Sequence, residues 1–340
     1  MASRRVPVRT ALIGSAALLA LAAPAAVAQS PAADPLAVKA IYSSVIEEPW
    51  DGVIHAALEA EAAAGRITHT YQDGIGYDGQ MEFVLQEVAS EGPAIIFGDS
   101  FGNEEAVRRV AAQFPDIPFV FGSGGGPAEP NFSVFDNWIH EPAYLAGMLA
   151  GGLTESNTIG VVAGYPVPEV NRITNAFISG ATAQNPDVKV VVTFINSWFD
   201  PVTAKEAAVA QIGQGADVLY AERAGVIDAA IEADIPVVGN MANQQDLGPE
   251  NVVTSVMWNM TPTVEYVVDQ VHAGAYTSQD LKDFTMMAKG GADLAPINPA
   301  LDVPAELAAA VEAKKADILS GLFRVDINES QPAGSTIVGQ

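Results

Sequence analysis

Short β-branched runs alternate with helical stretches along most of the chain, and they do so in two successive series. The first series predicts strands at 38–46, 67–71, 94–97, 118–122 and 132–135, with helices at 50–64, 80–90 and 104–113. The second opens with a helix at 141–152. It continues with strands at 158–163, 190–195, 216–220, 235–239 and 252–257, and helices at 169–184, 202–213, 226–233 and 261–272. A strand followed by a helix of about ten residues and another strand calls for a parallel crossover, so the fold class is α/β with doubly wound parallel sheets. Two such series make two lobes, although no sequence repeat relates them. The chain is expected to cross between them near 135–137 and 255–259, which makes a multi-strand hinge. The expected division is an N-lobe of 38–136 plus about 259–285 and a C-lobe of 137–256. A C-terminal segment, 286–340, has a helix near 304–318 and no assigned lobe.

Residues 1–28 read as a targeting segment. Arg4, Arg5 and Arg9 precede an apolar stretch at 11–23, and Ala26-Val27-Ala28 is a small-x-small cleavage site. The mature chain is then expected to begin at Gln29, with 29–37 as a Pro- and Ala-rich linker. The sequence holds no cysteine. That excludes a disulfide framework and a lipid-bearing cysteine, so a periplasmic protein that is not a lipoprotein is expected. Formal net charge is −25, and without residues 1–28 and their three arginines it falls to −28. So acidic a chain repels nucleic acid and anionic membranes. A monomer is expected.

The stretch Lys189-Val-Val-Val-Thr-Phe-Ile-Asn-Ser-Trp-Phe-Asp-Pro201 carries the strongest functional signal. A buried strand ends abruptly in Asn196, Trp198, Phe199 and Asp200, and Pro201 opens the next helix. Open α/β sheets bind ligands in the crevice outside the carboxyl ends of their strands. Trp50, Phe101 and Trp258 also fall at strand ends or presumed crossings, so three of the chain's four tryptophans gather there with a phenylalanine. Asp51, Asn103, Asn240 and Asn243 lie nearby in sequence. Flat apolar rings beside amide and carboxylate groups suit a planar polar small molecule. The candidate ligand-binding residues are therefore Trp50, Asp51, Phe101, Asn196, Trp198, Phe199, Asp200, Asn240 and Trp258.

Other motifs carry less. Gly74-Ile-Gly-Tyr-Asp-Gly79 matches G-x-G-x-x-G but follows the second strand and lacks the strand-two carboxylate that a dinucleotide ribose needs, so it reads as a tight turn. Gly122-Ser-Gly-Gly-Gly-Pro127 lacks the Lys-Ser/Thr ending of a phosphate loop. His55, His69, His140 and His272 are scattered, with no pair at metal-ligand spacing. Gly98, Ser100 and Gly102 satisfy G-x-S-x-G at a strand end, which keeps a secreted serine hydrolase as the alternative of another class. No catalytic residue, metal or cofactor is expected.

Several segments together resemble the basic membrane protein (BMP), or purine nucleoside receptor-like, family of substrate-binding proteins. They are Asp99-Ser-Phe-Gly102 with Val110-Ala-Ala-Gln-Phe-Pro-Asp116, Glu141-Pro-Ala-Tyr-Leu-Ala-Gly147, Asn185-Pro-Asp187, Ser197-Trp-Phe-Asp-Pro201, Gln214-Gly-Ala-Asp-Val218 and Thr254-Ser-Val256. The resemblance covers roughly 39–300. It implies a type I periplasmic-binding fold, an ABC permease as partner, no enzymatic turnover, and a purine base or nucleoside stacked between rings of the two lobes. Carried over by position, Trp50 and either Trp198 or Phe199 are the stacking pair. The family's ribose-holding Asp and Lys correspond here to Asn240 and Trp258, which favours a free base or another flat heterocycle. A sugar is the alternative ligand on the same fold, because a tryptophan face also stacks a pyranose.

Overall fold

In a computed structural model, residues 1, 2 and 34–339 are described. The expected targeting segment and most of the linker lie outside them. Five parallel strands form the first sheet, in the order β2-β1-β3-β4-β5. They are β1 (Leu36–Ile41), β2 (Ile67–Gln72), β3 (Ile95–Asp99), β4 (Phe119–Gly122) and β5 (Phe132–Phe135). Helices α1 (Pro49–Ala63), α2 (Gln80–Ser90) and α3 (Glu104–Gln113) connect them.

The second sheet repeats the plan. Its central strands are β6 (Thr158–Ala163), β7 (Lys189–Phe194), β8 (Val218–Ala221), β9 (Val237–Met241) and β10 (Val252–Trp258). They run parallel in the order β7-β6-β8-β9-β10, the same winding as the first sheet. Helices α4 (His140–Leu153), α5 (Pro168–Gln184), α6 (Pro201–Gly213) and α7 (Val226–Ala233) belong to this lobe. The helix α4 is buried along nearly all its length and lies tight against α5. Gly147, Gly151 and Gly180 make that approach possible, because a Cβ on any of them would run into backbone atoms of the facing helix.

The C-terminal segment, unplaced by sequence, completes the second sheet. Residues Ala292–Leu294 (β11) pair antiparallel with β10, and Thr336–Ile337 (β12) pair parallel with β7 at the opposite edge. Helix α9 (Ala305–Leu319) packs on α4, while α8 (Thr261–His272) returns to pack on α1 of the first lobe.

Where the chain leaves a sheet, local chemistry sets the boundary. The strand expected over 38–46 stops at Ile41, because side chains claim the backbone beyond it. Asp51 Oδ2 accepts from Ser44 N at 3.0 Å and Asp73 Oδ2 from Ile46 N at 3.1 Å. The bend this makes ends in Glu48, whose Oε2 accepts from Trp50 N and Asp51 N and caps α1, with Pro49 in its first turn. Glu48, Trp50 and Asp51 are thereby fixed at the carboxyl edge of β1.

Candidate binding site between the lobes

A doubly wound sheet changes direction beside its first strand, and the loops on either side of that point open a crevice. In the first sheet the change lies between β1 and β3. The loop after β1 supplies Ser44, Glu48, Trp50 and Asp51, and the end of β3 supplies Asp99 and Phe101. Tyr77 after β2 and Ser123 after β4 flank them. In the second sheet the change lies between β6 and β8. Glu169 opens α5 after β6, Trp198 follows β7, and Glu222 and Arg223 follow β8. The two edges face each other across one cleft.

Contacts between the edges are specific. Arg223 Nη1 donates to Glu48 Oε1 at 3.0 Å, with both side chains buried. The same guanidinium donates to Glu222 Oε1 at 2.7 Å and to the carbonyl of Trp198 at 2.9 Å. It also lies 5.3 Å from the centre of the Trp198 ring. Trp50 Nε1 donates to Glu169 Oε1 at 3.1 Å. Phe101 meets Trp198 edge to face, with ring centres 4.9 Å apart, and Tyr165 packs on Trp198 at 4.8 Å. The space left among these groups is about 20 Å³. That admits roughly one water.

The cleft is acidic. Burial raises Glu48, although Arg223 opposes it. Burial pushes Asp51 well up, and its neighbours Asp99 and Glu48 add to the effect. Asp99 is pushed up to about 7, mainly by burial and against a hydrogen bond from Phe101 N. Burial, reinforced by Asp136, lifts Glu169 well above the usual carboxylate range. Arg223 is buried too, but the carboxylates of Glu222 and Glu48 keep it firmly charged. Asp51 Oδ1 is buried without a hydrogen-bond partner among the described residues. A carboxyl poised near neutrality, as Asp99 is, can accept or donate a hydrogen bond.

Of the residues selected from sequence, Trp50, Asp51, Phe101 and Trp198 line this cleft. Trp50 is less a free stacking face than a wall. Its ring stacks on Phe135 at 5.9 Å and packs on Trp258 at 5.0 Å, so Phe101 is the ring that meets Trp198. Trp258 lies behind Trp50, lining a separate cavity of about 610 Å³ together with Asn243. Asn240 is buried beneath the cleft, accepting from the Tyr220 hydroxyl at 2.8 Å and donating to the Glu222 carbonyl. Asp200 caps α6 by accepting from Thr203 N. Asn196 is exposed at φ 54°, and Phe199 is 41% exposed and outside the lining. Glu48, Tyr77, Asp99, Ser123, Glu169 and Arg223 were not selected. Charged residues at the end of a buried strand or directly after it, as in Asp99 and Glu222-Arg223, were the available signal.

The Gly74–Gly79 stretch is an irregular connection from β2 to α2 that bends over its last three residues: Gly79 precedes α2 at φ 94°, and the carbonyl of Gly76 accepts from Asn103 Nδ2. Ser100 is fully buried and its hydroxyl donates to the Gly122 carbonyl, which leaves it no exposed nucleophile's position.

The family described as ABC transporter substrate-binding protein, PnrA-like, matches residues 40–286. The chain belongs to this Bmp family. The family is one of ABC transporter substrate-binding proteins. A putative ABC transporter glucose-binding protein of Haloferax volcanii is 37% identical over 57% of this chain, and the match spans only 50% of that protein. A purine-binding protein of Brucella abortus is 29% identical over 75% of this chain and 72% of its own length. Among solved structures, an ABC transporter solute-binding protein from Conexibacter woesei has 26% identity and a TM-score of 0.70, covering 86% of this chain and 99% of that one. A solute-binding protein from Aeropyrum pernix, at 18% identity and TM-score 0.74, shares the fold. Among the described residues no helix is long and apolar enough to cross a membrane.

Proposed function

We propose that this Bmp-family protein captures a planar heterocycle, a purine base or nucleoside, between its two lobes and hands it to the permease of an ABC importer. The observation that carries this reading is the pairing of Phe101 from one lobe with Trp198 from the other, ringed by Asp51, Asp99 and Glu169. A flat base entering there would stack on one ring as they stand, and on both faces once the Phe101 ring turns from its edge-on position to lie parallel. Its N–H and amino groups would donate to the carboxylates, and its ring nitrogens would accept from a protonated one. Ligand contacts to both lobes would hold the closed arrangement, which is the differential affinity that hinge closure requires. The Brucella relative is named for purine binding, in keeping with this reading. In this reading the protein acts in the periplasm as a monomer; the basic, then apolar N-terminal sequence and the family's ABC-transporter role support the location.

The second reading is a sugar. Carboxylates beside an aromatic face also suit a polyol, and the Haloferax relative is named as a putative glucose-binding protein. Calorimetric titration with adenine, guanine, hypoxanthine, their nucleosides and glucose separates the two. Binding of a purine with quenching of tryptophan fluorescence supports the first. Heat from glucose alone supports the second, and no response to any of them removes both.

A further inference from the structure

A second cluster lies on the far half of α1, away from the cleft. His55 and Glu59 stand one turn apart on that helix and share a face. His69 lies on β2, the edge strand that follows α1. Sequence spacing gave no hint of a pair, since fourteen residues separate the two histidines, but the return of the chain from helix to strand brings them together. One donor atom from each of His55, Glu59 and His69 lies within 4.8 Å of the other two. His69 Nδ1 is 2.7 Å from Glu59 Oε1, and the two imidazole centres are 5.3 Å apart.

The hydrogen bonding around these rings is incomplete. The His69 side chain is wholly buried. Its Nε2, and Nδ1 of His55, are buried with no partner among the described residues. Buried imidazoles ordinarily use both nitrogens. Tyr71 packs on His55 at 4.5 Å and Tyr42 meets it edge-on at 6.3 Å, so aromatic rings wall the pair. Glu59 is exposed, which leaves one side of the cluster open and its carboxylate free to move.

We propose that His55, Glu59 and His69 bind a divalent transition metal, Zn²⁺ in the first instance, through one nitrogen of each ring and a carboxylate oxygen. Two imidazoles and one carboxylate form a donor set that suits zinc and neighbouring metals and is foreign to the all-oxygen shells of Ca²⁺ and Mg²⁺. Bonds of about 2.0–2.2 Å place tetrahedral donors roughly 3.4 Å apart. The donors lie within 4.8 Å of one another and Glu59 Oε1 is only 2.7 Å from His69 Nδ1, so binding needs side-chain adjustments of about 1 Å, with the exposed Glu59 carboxylate turning from the imidazole toward the metal. Water from the open side completes the shell. The metal ties the second half of α1 to β2, and so braces the helix whose first turn presents Trp50 and Asp51 to the cleft.

The test uses untagged mature protein stripped by a chelator and titrated with ZnCl2 by calorimetry, with Co²⁺ absorption as a second readout. One tight site is expected, with the visible spectrum of tetrahedral Co²⁺ and a melting temperature that rises with Zn²⁺ but not with Mg²⁺. His55→Asn and Glu59→Gln change partly exposed positions and should leave the fold intact. Each is expected to weaken Zn²⁺ by at least about tenfold, and His55→Asn is expected to abolish the Co²⁺ spectrum. Equal affinity in wild type and His55→Asn would mean that scattered surface carboxylates hold the metal, and would overturn the site. So would the lack of any tight binding by wild type, which would leave only a His69–Glu59 hydrogen bond.

Discussion

Phe101 and Trp198 come from opposite lobes and touch edge to face at 4.9 Å, across the strand ends of both sheets. Phe101 follows β3, which flanks the change of direction in the first sheet, and Trp198 follows β7, the neighbour of β6 at the change in the second, so the contact lies at the crevice of two like-wound lobes. Trp198 is further held by Tyr165 and, through its carbonyl, by Arg223. Phe101 has Tyr77 against its other side, at 6.1 Å. Both rings are only half-buried, with Trp198 packed on the edge of the core.

Trp198→Ala and Phe101→Ala each remove one stacking face. Loss of a base–aromatic stack costs about 1–3 kcal/mol, so purine affinity should fall by roughly 5- to 150-fold in either variant. Thermal stability should change little. Calorimetry on the two variants checks this, and wild-type affinity in both would rule out the ring pair as the ligand clamp.

Arg223 neutralises Glu222 within its own lobe and Glu48 across the cleft, all three being buried. Replacing it with methionine leaves two buried carboxylates without their counter-charge. Removing one partner of a buried ion pair typically costs about 3–5 kcal/mol. Arg223→Met should therefore lower the urea midpoint markedly, and it should weaken ligand binding because Glu48 loses its tie to the second lobe. A change within about 0.5 kcal/mol would show that the network is dispensable.

The fold was legible in the sequence because its signals are local. Apolar periodicity and β-branched runs place α2, α3, β6 and α8 at their observed bounds. Two edge strands escaped, since β11 and β12 are three and two residues long and exist only through pairing with β10 and β7. The site was legible in part. Aromatics at strand ends flagged Phe101 and Trp198. Glu48, Glu169 and Arg223 act through partners 119 to 175 residues away, and no local pattern encodes such a pairing. Trp258 shares the sequence signature of Trp198, but its strand leads into a crossing, so its ring packs behind Trp50.

Gly122 sits where β4 passes beneath Trp50. A Cβ there would overlap the six-membered ring of Trp50 and press on Phe135. Its backbone has no positive φ, so the demand for glycine is steric alone. Gly122→Ala should displace the indole and break its hydrogen bond to Glu169, at a cost of about 1–3 kcal/mol in stability. A shifted tryptophan emission together with reduced ligand affinity is the expected signature. Unchanged emission would mean that the strand, not the indole, gives way.

The raised carboxyls set a pH dependence whose sign can be worked out. Asp99 titrates near 7 in the folded chain, and an unfolded aspartate near 4. Between those values the folded state holds more protons, so this group's contribution to stability falls as pH rises from about 4 to about 7 and is constant above. Asp51 and Glu169, raised by the same burial, act in the same direction. His140 opposes them: burial, helped by Arg172, pushes it down to about 4, so its contribution grows with pH between about 4 and 6.5. The informative quantity is thus the difference between wild type and Asp99→Asn in urea midpoints at pH 5, 6 and 8. The variant should gain relative to wild type as pH rises, because it has no buried proton to give up. Ligand affinity should run the other way. A ligand that donates N–H groups to Asp99 favours its ionised form, so wild-type binding should tighten as pH rises through about 7, and Asp99→Asn should flatten that rise. A ligand whose affinity is the same at pH 5 and pH 8 in wild type does not donate to this carboxylate.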